Sequence, residues 1–332
     1  MNRYWQSNYP KHVPLALDID PADTLVHLYH RSCHAFTTQT AYSALDTQLS
    51  YKQLAQYSRQ VAHYYQNELG LQPGDRIALM LPNLLQYPIA MFGALEAGLT
   101  VVNLNPLEKS TTLKHELKNS GAKAVVVLDH CAAELSQAIA QTHVTHVVVT
   151  QVGDCMPAIK AGITQLYLRY IKRAIPSYTW QGVNHHRFKD MLTYAKQTPF
   201  VTPTYQAQDL AYIQYTSATT GPAKGVMLTH HNILCNIEQA KAWVGPDKLG
   251  PSEIIVTALP LYHIFSLTAN CWVYLSIGAT NHLIPNPRDM QGFIRTIRHI
   301  GFTAITGVNT LFHGLLQQRA WRQVDCTQLK IT

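Results

Sequence analysis

Between two apolar segments, the chain reads Tyr215-Thr216-Ser217-Ala218-Thr219-Thr220-Gly221-Pro222-Ala223-Lys224-Gly225-Val226. A triphosphate needs backbone N–H groups, hydroxyl groups and a cation within a small radius, and small residues let the backbone come close. Four Thr and Ser hydroxyls and the compact ammonium charge of Lys224 meet this need. Because Lys224 precedes Gly225 and is not followed by Ser or Thr, this is not the Walker loop. The stretch predicts a phosphate-binding loop, and the alternative is a Thr-rich hairpin turn without a ligand.

On both sides of this loop, short β-branched segments alternate with amphipathic ones. Predicted strands lie at 78–81, 100–102, 124–128, 144–150, 210–215, 225–228, 254–258, 280–284 and 304–306. Predicted helices lie at 85–97, 110–120, 131–141, 232–243, 265–277, 290–299 and 310–317. Helix ends are marked by Gly98, Gly121, Gly278 and Gly301. The alternation predicts an α/β fold with mainly parallel, doubly wound sheets, which bind ligands beyond the carboxyl ends of their strands.

Composition narrows the class of protein. The chain has 332 residues, of which 47% are hydrophobic and 14% charged, and a net charge of +7. This indicates a globular protein with anionic partners, and no motif indicates a nucleic-acid partner. Six scattered cysteines without a C-x-x-C pair, and an N-terminus without an apolar signal core, favour a cytoplasmic location. The most apolar stretch, 264–284, is interpreted as a buried helix, a glycine turn and a strand rather than a membrane span.

The alternation stops between residues 151 and 207. We therefore divide the chain at this point into a first α/β subdomain, 1–207, and a second, 208–332, that carries the loop. Within the interruption, 166–175 is basic and amphipathic, and it could lie on the inner face of an anionic membrane. The alternative is a surface helix packed on the domain, with Arg169, Lys172 and Arg173 in water.

A histidine cluster is the other candidate site. On a helix, His27, His30 and His34 would share a face beside Cys33, and such side chains can bind zinc. The alternative is the polar face of a helix in a protein with 17 histidines, and this is favoured because a second ligand pair with zinc spacing is missing.

The order of residues from Tyr215 to Gly225 strongly resembles the signature loop of the adenylate-forming superfamily. Segments 49–54, 74–78, 94–98, 103–106 and 227–232 are similar to other parts of that family. The motif Leu259-Pro260-Leu261-Tyr262-His263-Ile264-Phe265 resembles the family's aromatic segment beside the acyl pocket. Two further segments resemble the long-chain fatty-acid–CoA ligase branch of the family: Asn286-Pro287-Arg288-Asp289 and Ile305-Thr306-Gly307-Val308-Asn309-Thr310.

The resemblance implies an ATP-dependent ligase that converts a fatty acid to acyl-AMP and then, with CoA, to acyl-CoA. It implies phosphate-binding roles for Thr216, Ser217, Ala218, Thr219, Thr220, Gly221, Lys224 and Gly225, with Thr219 also contacting Mg²⁺. It implies a catalytic role for His263 beside the reacting oxygens, and substrate contacts from Tyr262, His263, Gly307 and Val308. Ala218 departs from the family, which usually has Gly there. The alternative for His263 is a core histidine bonded to the backbone.

The resemblance also implies that important parts of the family's active site lie beyond Thr332. These include the adenine-binding segment, the Glu that helps to bind magnesium, the ribose-binding Asp and the C-terminal domain with its catalytic lysine. We therefore expect the chain to be catalytically incomplete alone, poorly soluble or dependent on a C-terminal partner fragment. Two alternatives remain: a non-catalytic remnant that binds nucleotide or acyl chain, and a peripheral membrane-interaction protein.

Overall fold

The strands form two sheets. The computed structural model describes residues 4–195, 199–216 and 221–332. Its strands are β1 (Thr40–Ala44), β2 (Thr47–Ser50), β3 (Arg76–Met80), β4 (Thr100–Asn103), β5 (Ala124–Leu128), β6 (His146–Thr150), β7 (Asn184–Arg187), β8 (Leu210–Thr216), β9 (Lys224–Thr229), β10 (Ile254–Thr257), β11 (Thr280–Leu283) and β12 (Ala304–Thr306).

The two sheets are mainly parallel, which confirms the predicted fold class. One has seven strands in the order β7-β6-β5-β3-β4-β8-β9, and the other has five in the order β12-β10-β11-β1-β2. Antiparallel pairing occurs between β8 and β9 and between β1 and β2, while the other paired strands are parallel. The division at residue 207 remains a prediction, and each sheet takes strands from both sides of it.

Helices connect the parallel strands, as parallel pairing requires. They are α1 (Leu25–Ala35), α2 (Tyr51–Asn67), α3 (Gln86–Glu96), α4 (Ser110–Ser120), α5 (Ala132–Ala138), α6 (Ala158–Leu166), α7 (Phe188–Leu192), α8 (His230–Val244), α9 (Ile264–Ser266), α10 (Val273–Ser276), α11 (Met290–Ile297) and α12 (Asn309–Leu316). Two π-helical turns, Tyr167–Ile171 and Leu267–Trp272, continue α6 and join α9 to α10. Short 3-10 turns occur at Tyr4–Asn8, Asp129–Cys131, Pro246–Lys248 and Arg319–Gln323.

Both faces of the seven-stranded sheet are buried. On β3, Ile77 and Leu79 face the large core shared with the five-stranded sheet, whereas Ala78 and Met80 face a separate core on the other side. Successive strand residues point to opposite faces, so a strand that is apolar throughout indicates a sheet covered on both sides. This explains why β3 and β5 contain little but apolar residues.

The helix of the 151–207 region differs from its predicted bounds. It begins at Ala158, after Pro157, and its π-helical turn ends at Ile171, so the range 166–175 covers only its second half. Arg173 has a φ of 49°, which is incompatible with a continuing right-handed helix. Among the residues described, no helix has the length and apolar character needed to cross a bilayer. The stretch 264–284 forms a helical run, a turn at Gly278 and β11, as predicted.

Candidate active site

A cavity of about 510 Å³ lies at the carboxyl ends of β4 and β8. Its lining includes Thr216 and Gly221 from the predicted phosphate loop, and Tyr262 and His263 from the loop that follows β10. Residues that are more than 40 positions apart in the sequence therefore meet, at the edge of a parallel sheet where ligand sites are expected. The described lining of this cavity does not include Gly307 or Val308.

The predicted phosphate loop connects the antiparallel strands β8 and β9. Thr216 pairs with Lys224, and Tyr215 pairs with Gly225. A Cβ atom on Gly225 would lie 2.9 Å from Ile213 Cγ2 and 3.3 Å from the Tyr215 ring, so glycine permits this close packing. Ser217, Ala218, Thr219 and Thr220, including the Mg²⁺ contact predicted for Thr219, lie outside the described residues. The hairpin geometry fits both the phosphate-loop prediction and its hairpin-turn alternative.

The loop that carries His263 is held by a buried amide. Asn83 Nδ2 donates to the carbonyl oxygens of Thr257, at 3.0 Å, and Leu259, at 2.9 Å. Its Oδ1 accepts from the Leu261 backbone N–H at 2.8 Å. One side chain thus satisfies three backbone groups of an irregular segment, as buried polar backbone requires.

A chain of buried polar side chains ties the same loop to the seven-stranded sheet. The Tyr87 hydroxyl donates to Asn103 Oδ1 at 2.8 Å, and Asn103 Nδ2 donates to Gln214 Oε1 at 3.2 Å. Gln214 Nε2 then donates to the Tyr262 carbonyl oxygen at 2.6 Å. The sequence analysis missed these residues. The available signal was that Asn103 and Gln214 are polar residues within otherwise apolar strands.

His263 is exposed at the cavity, immediately before α9. The alternative interpretation, a core histidine bonded to the backbone, is therefore wrong. Its backbone N–H donates to the Pro260 carbonyl at 3.0 Å, and this turn directs the segment into the helical run that starts at Ile264. The imidazole is thus positioned by its backbone and remains accessible to a ligand.

Two carboxyl groups, which the sequence analysis also missed, line the cavity. Glu116 on α4 is 5% exposed, and burial together with the nearby Glu108 carboxylate raises its pKa to about 7. Glu108 accepts from Asn105 Nδ2 at 3.0 Å. The Tyr215 hydroxyl donates to the Glu116 carbonyl oxygen at 2.9 Å, and burial, with Glu116 close by, raises the pKa of this phenol to about 12.

A second cavity, of about 400 Å³, shares Tyr262 with the first. Its lining is largely apolar and includes Leu107, Leu128 and Ile284, with Arg288 at one side. Because Tyr262 belongs to both linings, the polar and apolar cavities are adjacent. Gly307 and Val308 are not in the described lining of this cavity either; they follow β12, where Thr306 Oγ1 donates to Asn270 Oδ1 at 2.9 Å.

The histidines of α1 have other neighbours. His27 Nδ1 lies 3.5 Å from Asp23 Oδ1, and His30 Nε2 lies 3.6 Å from Glu96 Oε2. Cys33 is buried, and burial raises the pKa of its thiol to about 12, which disfavours the thiolate that zinc requires. In the described residues, groups of three or more potential metal ligands are not found.

Comparison with known proteins agrees with this geometry. The family described as AMP-binding enzyme matches residues 29–332. The chain belongs to this family. Over 332 residues, this AMP-binding enzyme chain is 42% identical to a long-chain-fatty-acid–CoA ligase of Salmonella typhimurium, and it spans 59% of that relative's length.

Solved structures share its fold. The anthranilate CoA ligase AuaEII, crystallised with anthranoyl-AMP, superimposes with a TM-score of 0.77 at 19% identity over 94% of this chain and 55% of AuaEII. A long-chain-fatty-acid–CoA ligase from Archaeoglobus fulgidus gives a TM-score of 0.73 at 19% identity, over 93% of this chain and 56% of the other. The fold of the AMP-binding enzyme chain is thus that of the corresponding part of these ligases.

Proposed function

We propose that this chain forms the nucleotide- and acyl-binding part of an ATP-dependent long-chain fatty-acid–CoA ligase. The observation that carries the proposal is the cavity lined by Thr216 and Gly221 of the predicted phosphate loop together with Tyr262 and His263. The substrate class is supported by 42% identity, over the whole chain, to a relative named as a long-chain-fatty-acid–CoA ligase.

In the proposed reaction, a carboxylate oxygen of the fatty acid attacks the α-phosphorus of ATP, and pyrophosphate leaves. The thiol sulfur of CoA then attacks the acyl carbon, a thioester forms, AMP leaves, and the thiol proton is released. Mg²⁺ enters with ATP as part of the substrate, held largely by phosphate oxygens. Both steps move negative charge, so fixed donors near the phosphates would stabilise the transition states.

The chain's own residues would bind and orient these groups. We assign the β- and γ-phosphates to Thr216, Ser217, Thr219, Thr220, Gly221 and Lys224, a cofactor-binding role to Ala218 and Gly225 in the same loop, and an Mg²⁺ contact to Thr219. Of these, Lys224 is exposed at the start of β9, directly opposite Thr216. We assign to His263 a contact with the reacting oxygens, because its imidazole lines the cavity and a histidine can donate a hydrogen bond in either protonation state.

The acyl chain would occupy the second cavity, which shares Tyr262 with the first. Its largely apolar lining suits a hydrocarbon tail, while the polar cavity suits the carboxylate and phosphates. An amphiphilic substrate could thus place its two ends in adjacent spaces. The substrate contacts predicted for Gly307 and Val308 belong to this proposal too, as does a cytoplasmic location.

The second candidate is a chain that binds nucleotide or acyl chain without turnover. The 332 residues span 59% of the length of the relative. The resemblance assigns the adenylating lysine to sequence outside these 332 residues. We therefore propose that a C-terminal fragment supplies it, either from the same polypeptide or from a partner. The two candidates predict the same binding of nucleotide and differ in turnover.

The experiment measures Mg-ATP binding and palmitate-dependent ATP–pyrophosphate exchange by the purified chain. We expect the chain to bind Mg-ATP and Lys224→Ala to weaken this binding about 10–100-fold, because a charge-assisted contact with phosphate is lost. The control, Lys52→Ala, removes an exposed lysine from the start of α2 and leaves binding unchanged.

The exchange assay separates the candidates. Exchange that depends on an added C-terminal fragment supports the ligase. Exchange by the chain alone also supports the ligase if Lys224→Ala abolishes it, and it would mean that these 332 residues hold a complete adenylation site. Folded chain that binds no Mg-ATP contradicts the proposal. Binding without exchange, even with the fragment, favours the second candidate.

A further inference from the structure

The helical segment from Ala158 to Ile171 exposes apolar side chains on its solvent-facing side, where a surface helix is normally polar. It comprises α6 and its π-helical turn, and none of its residues is buried. Six large apolar side chains are 43–81% exposed: Ile159, Ile163, Leu166, Tyr167, Tyr170 and Ile171. Such a contiguous exposed apolar surface marks an interaction site.

These side chains form one stripe. Ile159, Ile163, Leu166 and Tyr170 follow a spacing of three or four residues, which places them on one face of a helix. Tyr167 and Ile171 each follow a member of this series and widen the stripe. The apolar face is therefore continuous along the segment.

Polar side chains attach the segment to the rest of the protein. Lys160 Nζ donates to the Leu45 carbonyl oxygen at 2.6 Å and lies 3.1 Å from Asp46 Oδ2. Gln165 Nε2 donates to the buried carboxylate of Asp129 at 3.0 Å. The helix is thus inverted relative to an ordinary surface helix, because its polar side faces the protein and its apolar side faces outward.

The segment and the sequence that follows it carry a net positive charge between Asp154 and Asp190, although Lys160 pairs with Asp46 and Arg187 pairs with Asp190. From Cys155 to Lys189 the chain contains no Asp or Glu, and its Lys and Arg residues are Lys160, Arg169, Lys172, Arg173, Arg187 and Lys189. Arg169, Lys172 and Arg173 are exposed at the end of the apolar stripe. Such a distribution attracts an anionic surface, and it would repel a second copy that presented the same face.

We propose that the segment 158–171 docks this chain on an anionic phospholipid bilayer. The apolar stripe enters the boundary between headgroups and acyl chains, while Arg169, Lys172 and Arg173 contact the headgroup phosphates. The inference goes beyond the proposed ligase, because docking needs neither nucleotide nor turnover. If the proposed function is correct, this surface would hold the ligase at the bilayer, into which its amphiphilic fatty-acid substrate partitions.

The experiment measures co-sedimentation of the purified chain with vesicles, in the absence of ATP and fatty acid. One set of vesicles contains phosphatidylglycerol and phosphatidylcholine, and the other contains phosphatidylcholine alone. We expect binding to the mixed vesicles, and an approximately 100-fold weaker partition at low salt when Arg169, Lys172 and Arg173 are all changed to Gln. The matched control changes Lys52, Arg295 and Arg298, three exposed basic residues elsewhere, to Gln and retains most of the binding.

A second variant tests the apolar stripe. Ile163→Ser with Ile171→Ser should also reduce binding, whereas Val201→Ser, at an exposed apolar residue outside the segment, should not. Equal binding of the Arg169, Lys172 and Arg173 variant and its control would overturn the proposal, as would absence of binding by folded wild-type chain. A dimer without vesicles that Ile163→Ser dissociates would assign the stripe to a second copy instead. Folded chain that binds Mg-ATP but not vesicles would contradict the membrane proposal alone and leave the proposed function intact.

Discussion

At the scale of single residues, Glu116 makes the stability of the fold depend on pH. Its pKa is raised from 4.5 to about 7 because the carboxyl is buried close to the Glu108 carboxylate. Between these values the native protein keeps a proton that the unfolded chain has lost. The contribution to stability is therefore greatest below about pH 4.5 and disappears as the pH rises through about 7.

Replacing this carboxyl should stabilise the protein in alkaline solution. We expect Glu116→Gln to raise the free energy of unfolding by about 2 kcal/mol at about pH 8 and to change it little near pH 4.5, since the charged form is the costly one. Urea denaturation at both pH values measures the effect. Asp18→Asn, at an exposed carboxylate, is the control, and an equal gain from that variant would contradict the explanation.

Gln214 is a positioning residue for the His263 loop. Gln214→Leu would leave the Tyr262 carbonyl oxygen and Asn103 without their partner, so we expect a loss of about 1–3 kcal/mol in the free energy of unfolding. Hydrogen exchange of the amides in residues 261–264 should also become faster, because the loop loses its bond to β8. Gln48→Leu, on the exposed face of β2, is the matched control. Unchanged exchange in the Gln214 variant would show that the bonds from Asn83, from the Tyr87 hydroxyl to the Leu261 carbonyl oxygen and from the Ser266 hydroxyl to the Leu259 carbonyl oxygen hold the loop without Gln214.

At the scale of elements, the turn between α10 and β11 requires glycine. Gly278 has a φ of 79°, and a Cβ atom at this position would overlap the ring of Phe36. We expect Gly278→Ala to lower the free energy of unfolding by about 2 kcal/mol or more, because strain and overlap add. Gly250→Ala is the control, since that position has open space and no positive φ. Thermal unfolding of both variants measures the difference, and equal midpoints would be the contrary outcome.

The elements differ in how far the sequence predicts them. The bounds of α4, β5 and β12 agree with the prediction, because each has a clear apolar period or β-branched run ended by a glycine or a polar residue. By contrast, β7 has the sequence Asn-His-His-Arg, and its extended form comes from pairing with β6. Such a strand has no pattern of its own and cannot be found locally. A local signal does mark the start of α2, because Ser50 and Gln53 form a capping box.

At the scale of the whole molecule, two buried histidines link distant parts of the chain. His230 Nδ1 accepts from the Leu25 N–H at 3.3 Å, and His282 Nδ1 lies 2.6 Å from Ser43 Oγ. Burial lowers the pKa of both imidazoles from 6.5 to about 4. The unfolded chain binds their protons first, so their contribution is present above about pH 6.5 and is lost as the pH falls towards 4. This trend opposes that of Glu116, and together the three groups favour stability near pH 6.5.

Removing one of these histidines should flatten the acid limb of the stability profile. We expect His230→Asn to reduce the slope of the free energy of unfolding by about 1.4 kcal/mol per pH unit between about pH 6 and pH 4.5, whatever its effect at neutral pH. Chemical denaturation across this range measures the slope. His34→Asn, at an exposed histidine of α1, is the control. A slope equal to that of wild type would assign acid sensitivity to other groups.

The sequence predicts the class of the whole fold better than its connections. The alternation of strands and helices is enough to predict mainly parallel sheets. The hydrophobic period within a strand does not indicate which strand it pairs with. Pairing of β1 with β11 depends on the packing of the entire chain. The cavity shows the same limit, since motifs in the sequence predict roles for Thr216 and His263, whereas Glu116 and Gln214 come to line it only through folding.

The position of β1 has a consequence for synthesis on the ribosome. Thr40 and Thr280, which bond across the junction of β1 and β11, are 240 residues apart. At about 5–20 residues per second, the β1–β2 hairpin waits roughly 12–48 s for its partner to emerge. The seven-stranded sheet takes its strands from a continuous stretch, β3 to β9, and can assemble during that interval. During this interval the nascent chain can contain a complete seven-stranded sheet and an unpaired β1–β2 hairpin. The open edge of β1 can pair with a non-native strand until β11 has been synthesised.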